Sequence, residues 1–320
     1  MSDDNRYDAI IVGGGHNGLV GGSYLARAGL KTVLVERRSL VGGAAVTEEI
    51  HPGFRASRFS YIMGHLHPKV IADLELNAFG LEFIPVPDVI YPLEDDCITF
   101  TKDPARNIEQ IRRFSHRDAE AFPAFFEHMS DSIKVLRSLL LETPIDPAAR
   151  DFRHLRDSAS LLWRYRKIGN NFYRMIDAVT KSADQFVSEW FESEVVRAVL
   201  CYWATIGCNV GPKSPGTAFN ILFHLVGESG MGFSRGGMGS ISKAIASSGA
   251  RHGLEIRTAC PVARIVVEQG ATRGVELESG ERIDAPRVIS NVGAPITFGR
   301  LVPRSELPDD FMADIDRYRS

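Results

Sequence analysis

The sequence predicts an α/β protein in which a doubly wound, parallel-sheet domain is interrupted by a mixed α+β, largely helical segment. Three observations predict this. A glycine-rich strand–helix–strand unit opens the chain. Helical patterning and phenylalanine dominate from about residue 54 to residue 235. A glycine turn followed by a helix and further strands returns after Gly236. The 320 residues suffice for two domains. The expected boundaries are 1–53 and 236–300 for the two parts of the first domain and 54–235 for the insertion. Residues 301–320 are expected to begin a further, truncated segment.

Ala9 to Val12 and Thr32 to Val35 are continuous apolar runs, as strands of a parallel sheet covered on both faces should be. Asn17 to Ala28 between them reads as a helix. In the insertion, EFIPVPDVIYPLEDDCITFTKD reads as short strands separated by prolines and acidic turns. Two longer amphipathic helices follow, Ala119 to Leu141 and Gln185 to Ala204. Most of the 18 phenylalanines lie in the insertion. They suit either a plain helical core or the lining of an apolar substrate pocket. After Gly236, GGMGSISKAIASSGARHG reads as a turn and a helix, and Leu254 to Thr258 as a strand. Val262 to Val267 and Arg273 to Leu277 form a hairpin, and Arg287 to Ser290 is one more strand.

Composition narrows the function. A net charge of −3 with mixed signs offers no basic footprint for nucleic acid. The 4 cysteines are too few and scattered for a disulfide scaffold, and Cys201 and Cys208 match no redox or zinc spacing. The acidic N-terminus has no signal-like apolar core, and Ala198 to Cys208 is too short to span a bilayer. A cytoplasmic protein is the expectation.

The chemistry is concentrated in GGGHNG, where Gly13, Gly15 and Gly18 form G-x-G-x-x-G between the first strand and its helix. Gly13 permits the tight turn. Gly15 lacks the Cβ that would keep a pyrophosphate from the backbone, and Gly18 lets helix and sheet approach. The helix N-terminus adds unpaired N–H groups and the positive end of its dipole. Glu36, at the end of the second strand, is placed to accept ribose hydroxyls. This is a Rossmann-like dinucleotide site. Gly42 and Gly43 add a second glycine turn, which suits a long, extended cofactor.

Beyond these residues the chain resembles a known family. ERRSLVGG is similar to the acid-arginine-GlyGly element of flavin amine oxidases and phytoene desaturases. GGMGSISKAIA resembles a stretch of the phytoene desaturase branch. GGGHNGLVGGSYLARAG and LVGGAAVTEEIHPGFRAS resemble most the phytoene dehydrogenase-like group that includes the pyridine nucleotide-disulphide oxidoreductase domain 2 proteins. The resemblance covers essentially the whole chain. It implies an FAD-binding domain broken by a substrate domain, with FAD as cofactor. By resemblance Gly13, Gly15 and Gly18, with His16 and Asn17 in the same turn, hold the pyrophosphate and Glu36 the adenosine ribose. Arg38, Gly42, Gly43 and Ala44 lie further along the cofactor, and the backbone of Val262 meets the adenine. It also implies an apolar small-molecule substrate oxidised at a C–C or related C–H site, with oxygen or another electron acceptor, and peripheral membrane contact. An oligomer stays open.

Two departures matter. Ala44 stands where flavin amine oxidases carry arginine, which favours the desaturase-like branch over an amine oxidase. The flavin-ring element expected near a family member's C-terminus is not found before Ser320, which leaves a non-catalytic flavin-binding protein as a further alternative. His16 is read as a polar contact rather than a base, and His65 and His67 as loop residues. No catalytic residue and no metal ligand is assigned.

Overall fold

The computed structural model describes residues 6–143, 152–166, 170–227 and 230–318. In chain order the first elements are β1 (Ala9–Val12), α1 (His16–Arg27), β2 (Thr32–Val35), β3 (Thr47–His51), β4 (Phe54–Ser57), α2 (Pro68–Asp73) and β5 (Phe83–Pro85). Next come β6 (Val89–Pro92), β7 (Cys97–Phe100), α3 (Pro104–Arg112), α4 (His116–Leu139), α5 (Phe152–Tyr165), α6 (Asn170–Thr180), α7 (Ala183–Ser188), α8 (Glu194–Thr205) and α9 (Ala218–Leu225). The chain then continues through β8 (Gly232–Ser234), α10 (Gly239–Arg251), β9 (Glu255–Arg257), β10 (Val262–Glu268), β11 (Ala271–Leu277), β12 (Arg282–Asp284) and β13 (Val288–Ser290). Two helices, α11 (Ala294–Ile296) and α12 (Asp309–Arg317), follow.

Two compact units result: Met1–Pro85 with Met231–Ser320, and Val86–Gly230. The first unit is built on a parallel sheet of order β13-β1-β2-β9. Strand residues alternate between its faces. Ile11 and Leu34 pack with Leu19 and Ala26 of α1 and with Ile241, Ala244 and Ile245 of α10. Ile10, Val12, Val33 and Val35 pack against Ile265, Val275, Leu277 and Ile283 of the antiparallel sheet β10-β11-β12. Both faces are covered, as the apolar strands require. The second cover, however, is an antiparallel meander and not the helix layer of a doubly wound fold. The β10–β11 hairpin turns at Gln269 and Gly270, both with positive φ (53° and 71°), the conformation that suits a two-residue hairpin.

The insertion begins later than the sequence suggests. Residues 54–85 belong to the first unit, because β4 pairs with β3, β5 pairs with β8, and Leu74, Leu76 and Leu81 are buried in the core beneath α1 and α10. Residues expected to open a further segment also pack into this unit. Leu301 joins the core, Met312 is buried, and Phe311 meets Phe298 edge-on at 5.0 Å.

In the second unit, the span read as one helix from Gln185 to Ala204 is two, α7 and α8. Ser193 caps α8, its hydroxyl accepting from the Val196 N–H, and the buried Asp118 carboxylate accepts the Glu192 and Ser193 N–H groups at 2.9 Å each. These bonds satisfy amides that a continuous helix would have to bond internally. Phe122, Phe125, Phe186 and Phe191 pack together with Met129, Val187 and Val196, with rings 5.0–6.4 Å apart. These aromatics form a closed core, so the expectation that they line a pocket is corrected for them. Among the described residues no helix is long and apolar enough to cross a membrane.

Candidate functional site

The predicted turn leaves β1 at Gly13, whose φ of +99° is left-handed backbone; a Cβ there would also lie 2.9 Å from the Val292 side chain. A Cβ on Gly18 would press into the Gly13 carbonyl oxygen, so this glycine closes the turn against the start of α1. His16, Asn17 and Gly18 form the first turn of α1. No side chain caps it, and the helix has no acidic residue there. Its leading N–H groups therefore face outward with no intrahelical acceptor, beside the positive end of the dipole. Both His16 and Asn17 are exposed.

The tertiary structure brings the second glycine turn to the first. The Gly42 N–H donates to the Gly14 carbonyl at 2.7 Å, and Gly15 and Gly42 form an isolated parallel bridge. Gly42 and Gly43 have φ of +130° and +57°, and a Gly43 Cβ would lie 2.9 Å from Gly15 Cα. Only glycine permits this approach. Gly43 and Ala44 are exposed at the rim.

Glu36 is buried, and its carboxylate accepts the Gly14 N–H at 2.7 Å and the Arg38 N–H at 2.9 Å. A carboxylate offers about four acceptor sites, so two remain for ribose hydroxyls. The Arg38 guanidinium does not point freely; it pairs with Glu48 of β3. The return strand is tied to the same place: the Cys260 N–H donates to the Glu36 carbonyl and the Ala259 N–H to the Arg38 carbonyl, at 2.9 and 2.8 Å. Val262, the first residue of β10, follows two residues after the Cys260 bond. Gly13, Gly15, His16, Asn17, Gly18, Glu36, Gly42 and Gly43 thus gather beyond the carboxyl ends of β1 and β2.

His67 lies elsewhere and has a local task. Its Nδ1 accepts the Lys69 N–H at 3.0 Å and caps α2. Two residues were missed by sequence reasoning. Gly14 was hidden among three consecutive glycines, although its N–H holds the acid. Asn291 follows β13 and has no local signal; its N–H donates to the Val12 carbonyl at 2.8 Å and its side chain lies over the first turn of α1.

The arrangement fits a dinucleotide: amides of α1 for a pyrophosphate, glycines where the ligand backbone must come close, and a buried carboxylate for a ribose. Comparison with known proteins agrees. Residues 18–320 match the family described as flavin containing amine oxidoreductase. The chain is 36% identical to rat pyridine nucleotide-disulfide oxidoreductase domain-containing protein 2, over 98% of this chain and 58% of that protein. It is 30% identical to a limonene dehydrogenase subunit of Castellaniella defragrans, over 96% of this chain and 55% of that protein. The chain therefore spans a little over half the length of these relatives. A solved putrescine oxidase with redesigned cofactor binding has the same fold, with a TM-score of 0.62 and 18% identity over 97% of this chain and 63% of that one.

Proposed function

The chain belongs to the flavin containing amine oxidoreductase family, and from that premise we propose that it serves an FAD-dependent oxidoreductase that dehydrogenates a C–C or related C–H site of an apolar small molecule. Its cofactor is FAD, which supplies the hydride acceptor when bound. The observation that carries the reading is the joining of the two glycine turns through Gly42 and Gly14, with the Glu36 carboxylate held beside them. In this reading α1 holds the pyrophosphate, Glu36 holds the adenosine ribose, Gly42, Gly43 and Ala44 line the extended cofactor, and the backbone at Val262 meets the adenine. Arg38 acts by holding the Glu48 side chain and the loop between β2 and β3.

The apolar substrate class is supported by the name of one relative, the limonene dehydrogenase of Castellaniella defragrans, limonene being a hydrocarbon. A cytoplasmic setting with contact to a membrane surface suits such a substrate, which partitions into lipid. The exposed Ile50, Phe54 and Phe59 on and beside the β3–β4 hairpin support that contact.

The test is anaerobic titration of the FAD-loaded protein, read as bleaching of flavin absorbance. Limonene and a long-chain polyene should bleach it, and putrescine should not. Bleaching by the amine alone would replace the proposal with an amine oxidase. Failure of purified protein to take up FAD at all would remove the cofactor assignment.

A further inference from the structure

The parallel sheet has the order β13-β1-β2-β9, so the strands following β1 in the chain lie on one side of it and the last strand lies on the other. The crevice between the carboxyl ends of β1 and β13 is the switch point, where ligands of open α/β sheets bind. Asn291 stands there. Its main-chain N–H bonds to Val12 and extends the β1–β13 ladder by one residue, which fixes where the side chain starts. Its Nδ2 donates to the Gly13 carbonyl, a long bond of 3.4 Å. The same nitrogen lies 2.8 Å and 3.0 Å from the positions that Cβ atoms on Gly15 and Gly18 would occupy. It therefore sits against Gly15, whose missing side chain clears the pyrophosphate approach, and against Gly18, which closes the turn. A carboxamide nitrogen carries two N–H donors, and Gly13 takes one of them.

We infer that Asn291 is a further ligand of the cofactor: its second Nδ2–H donates to the pyrophosphate, beside the amides of α1. This rests on the dinucleotide reading of the site. The Gly13 carbonyl sets the rotation of the carboxamide, so the amide and not the oxygen faces the anion. A neutral donor at this point adds a bond to a charged acceptor without needing a counter-ion, whereas a carboxylate there would face the phosphates with like charge.

The experiment compares FAD, ADP and adenosine binding by wild type, Asn291→Ala and Asn291→Asp, by calorimetry, with thermal melting of each variant alongside. Both variants should weaken FAD and ADP by about tenfold or more, the size of a lost bond to a charged group, with Asp the worse of the two. Adenosine, which has no phosphate, should lose less than about twofold by the same argument. Equal losses for all three ligands, or unchanged FAD and ADP affinity, would overturn the inference and leave Asn291 as packing for the glycine turn. Wild type that binds neither FAD nor ADP would instead overturn the dinucleotide reading itself. Should the variants fail to fold, the wild-type side-chain amide resonance of Asn291 decides the matter: it should shift on adding ADP and stay in place on adding adenosine, and no shift with ADP overturns the assignment.

Discussion

A side chain at Gly15 would meet the Asn291 carboxamide at 2.8 Å and stand where a pyrophosphate must approach. Gly15→Val should therefore abolish FAD retention while far-ultraviolet circular dichroism stays native; protein that still purified with stoichiometric FAD would place the pyrophosphate elsewhere. Glu36 has two structural bonds in addition to any ribose hydroxyl. Glu36→Ala should weaken FAD binding by roughly 1.5–3 kcal/mol, the worth of hydrogen bonds to a charged group. It should also lower stability, since the Gly14 N–H loses a buried acceptor. Unchanged FAD affinity in a titration of this variant would remove its ribose role. The glycine pattern and the acid were legible from their spacing alone. That the acid also braces the phosphate turn was not, because the bond joins residues 22 positions apart in the chain.

At the scale of elements, the boundary between α7 and α8 depends on Asp118, a residue 74 positions away from its partner Glu192. Asp118→Ala should remove two part-buried hydrogen bonds to a charged acceptor, at about 1 kcal/mol each, read as a lowered midpoint in urea denaturation. An unchanged midpoint would show that the break needs only the Ser193 cap. The Ser193 cap was a readable signal; helical periodicity across Gln185 to Ala204 masked it. A second element-level contact joins the segment before β1 to β9, where the Tyr7 hydroxyl donates to Glu255 at 2.6 Å and Arg257 pairs with the same glutamate. Burial acts to raise the Glu255 carboxyl, but hydrogen bonds from Tyr7 and Arg257 and the nearby positive charges outweigh it and hold it below its ordinary value. A carboxyl lowered in the folded state contributes stability above its unfolded value, about pH 4.3, and loses it as pH falls through the folded value. Melting temperature should thus fall on acidification through that window, and Glu255→Gln should flatten the fall. An identical acid limb in the variant would mean that other carboxylates govern it.

For the whole molecule, every proposed cofactor contact lies in the first unit, Met1–Pro85 with Met231–Ser320. FAD at about 100 times its Kd should stabilise that unit by about 2.7 kcal/mol through mass action. Differential scanning calorimetry should show its transition move upward with FAD concentration and show no such movement for Gly15→Val. A transition indifferent to FAD in wild type would contradict the assignment of the site. Legible in the local sequence were the β1–α1–β2 unit, the placement of Gly13, Gly15, Gly18 and Glu36, a hairpin between Val262 and Leu277, and the existence of an insertion. These are short-range properties: apolar runs, helical spacing and left-handed turns depend on neighbours within a few residues. It takes long-range packing to settle that Gly42 meets Gly14, that residues 54–85 belong to the first unit, that a β-meander covers the sheet's second face, and that Asn291 lies over α1. Each of these depends on which distant strand supplies a hydrogen bond or an apolar face, and nothing in local periodicity specifies that choice.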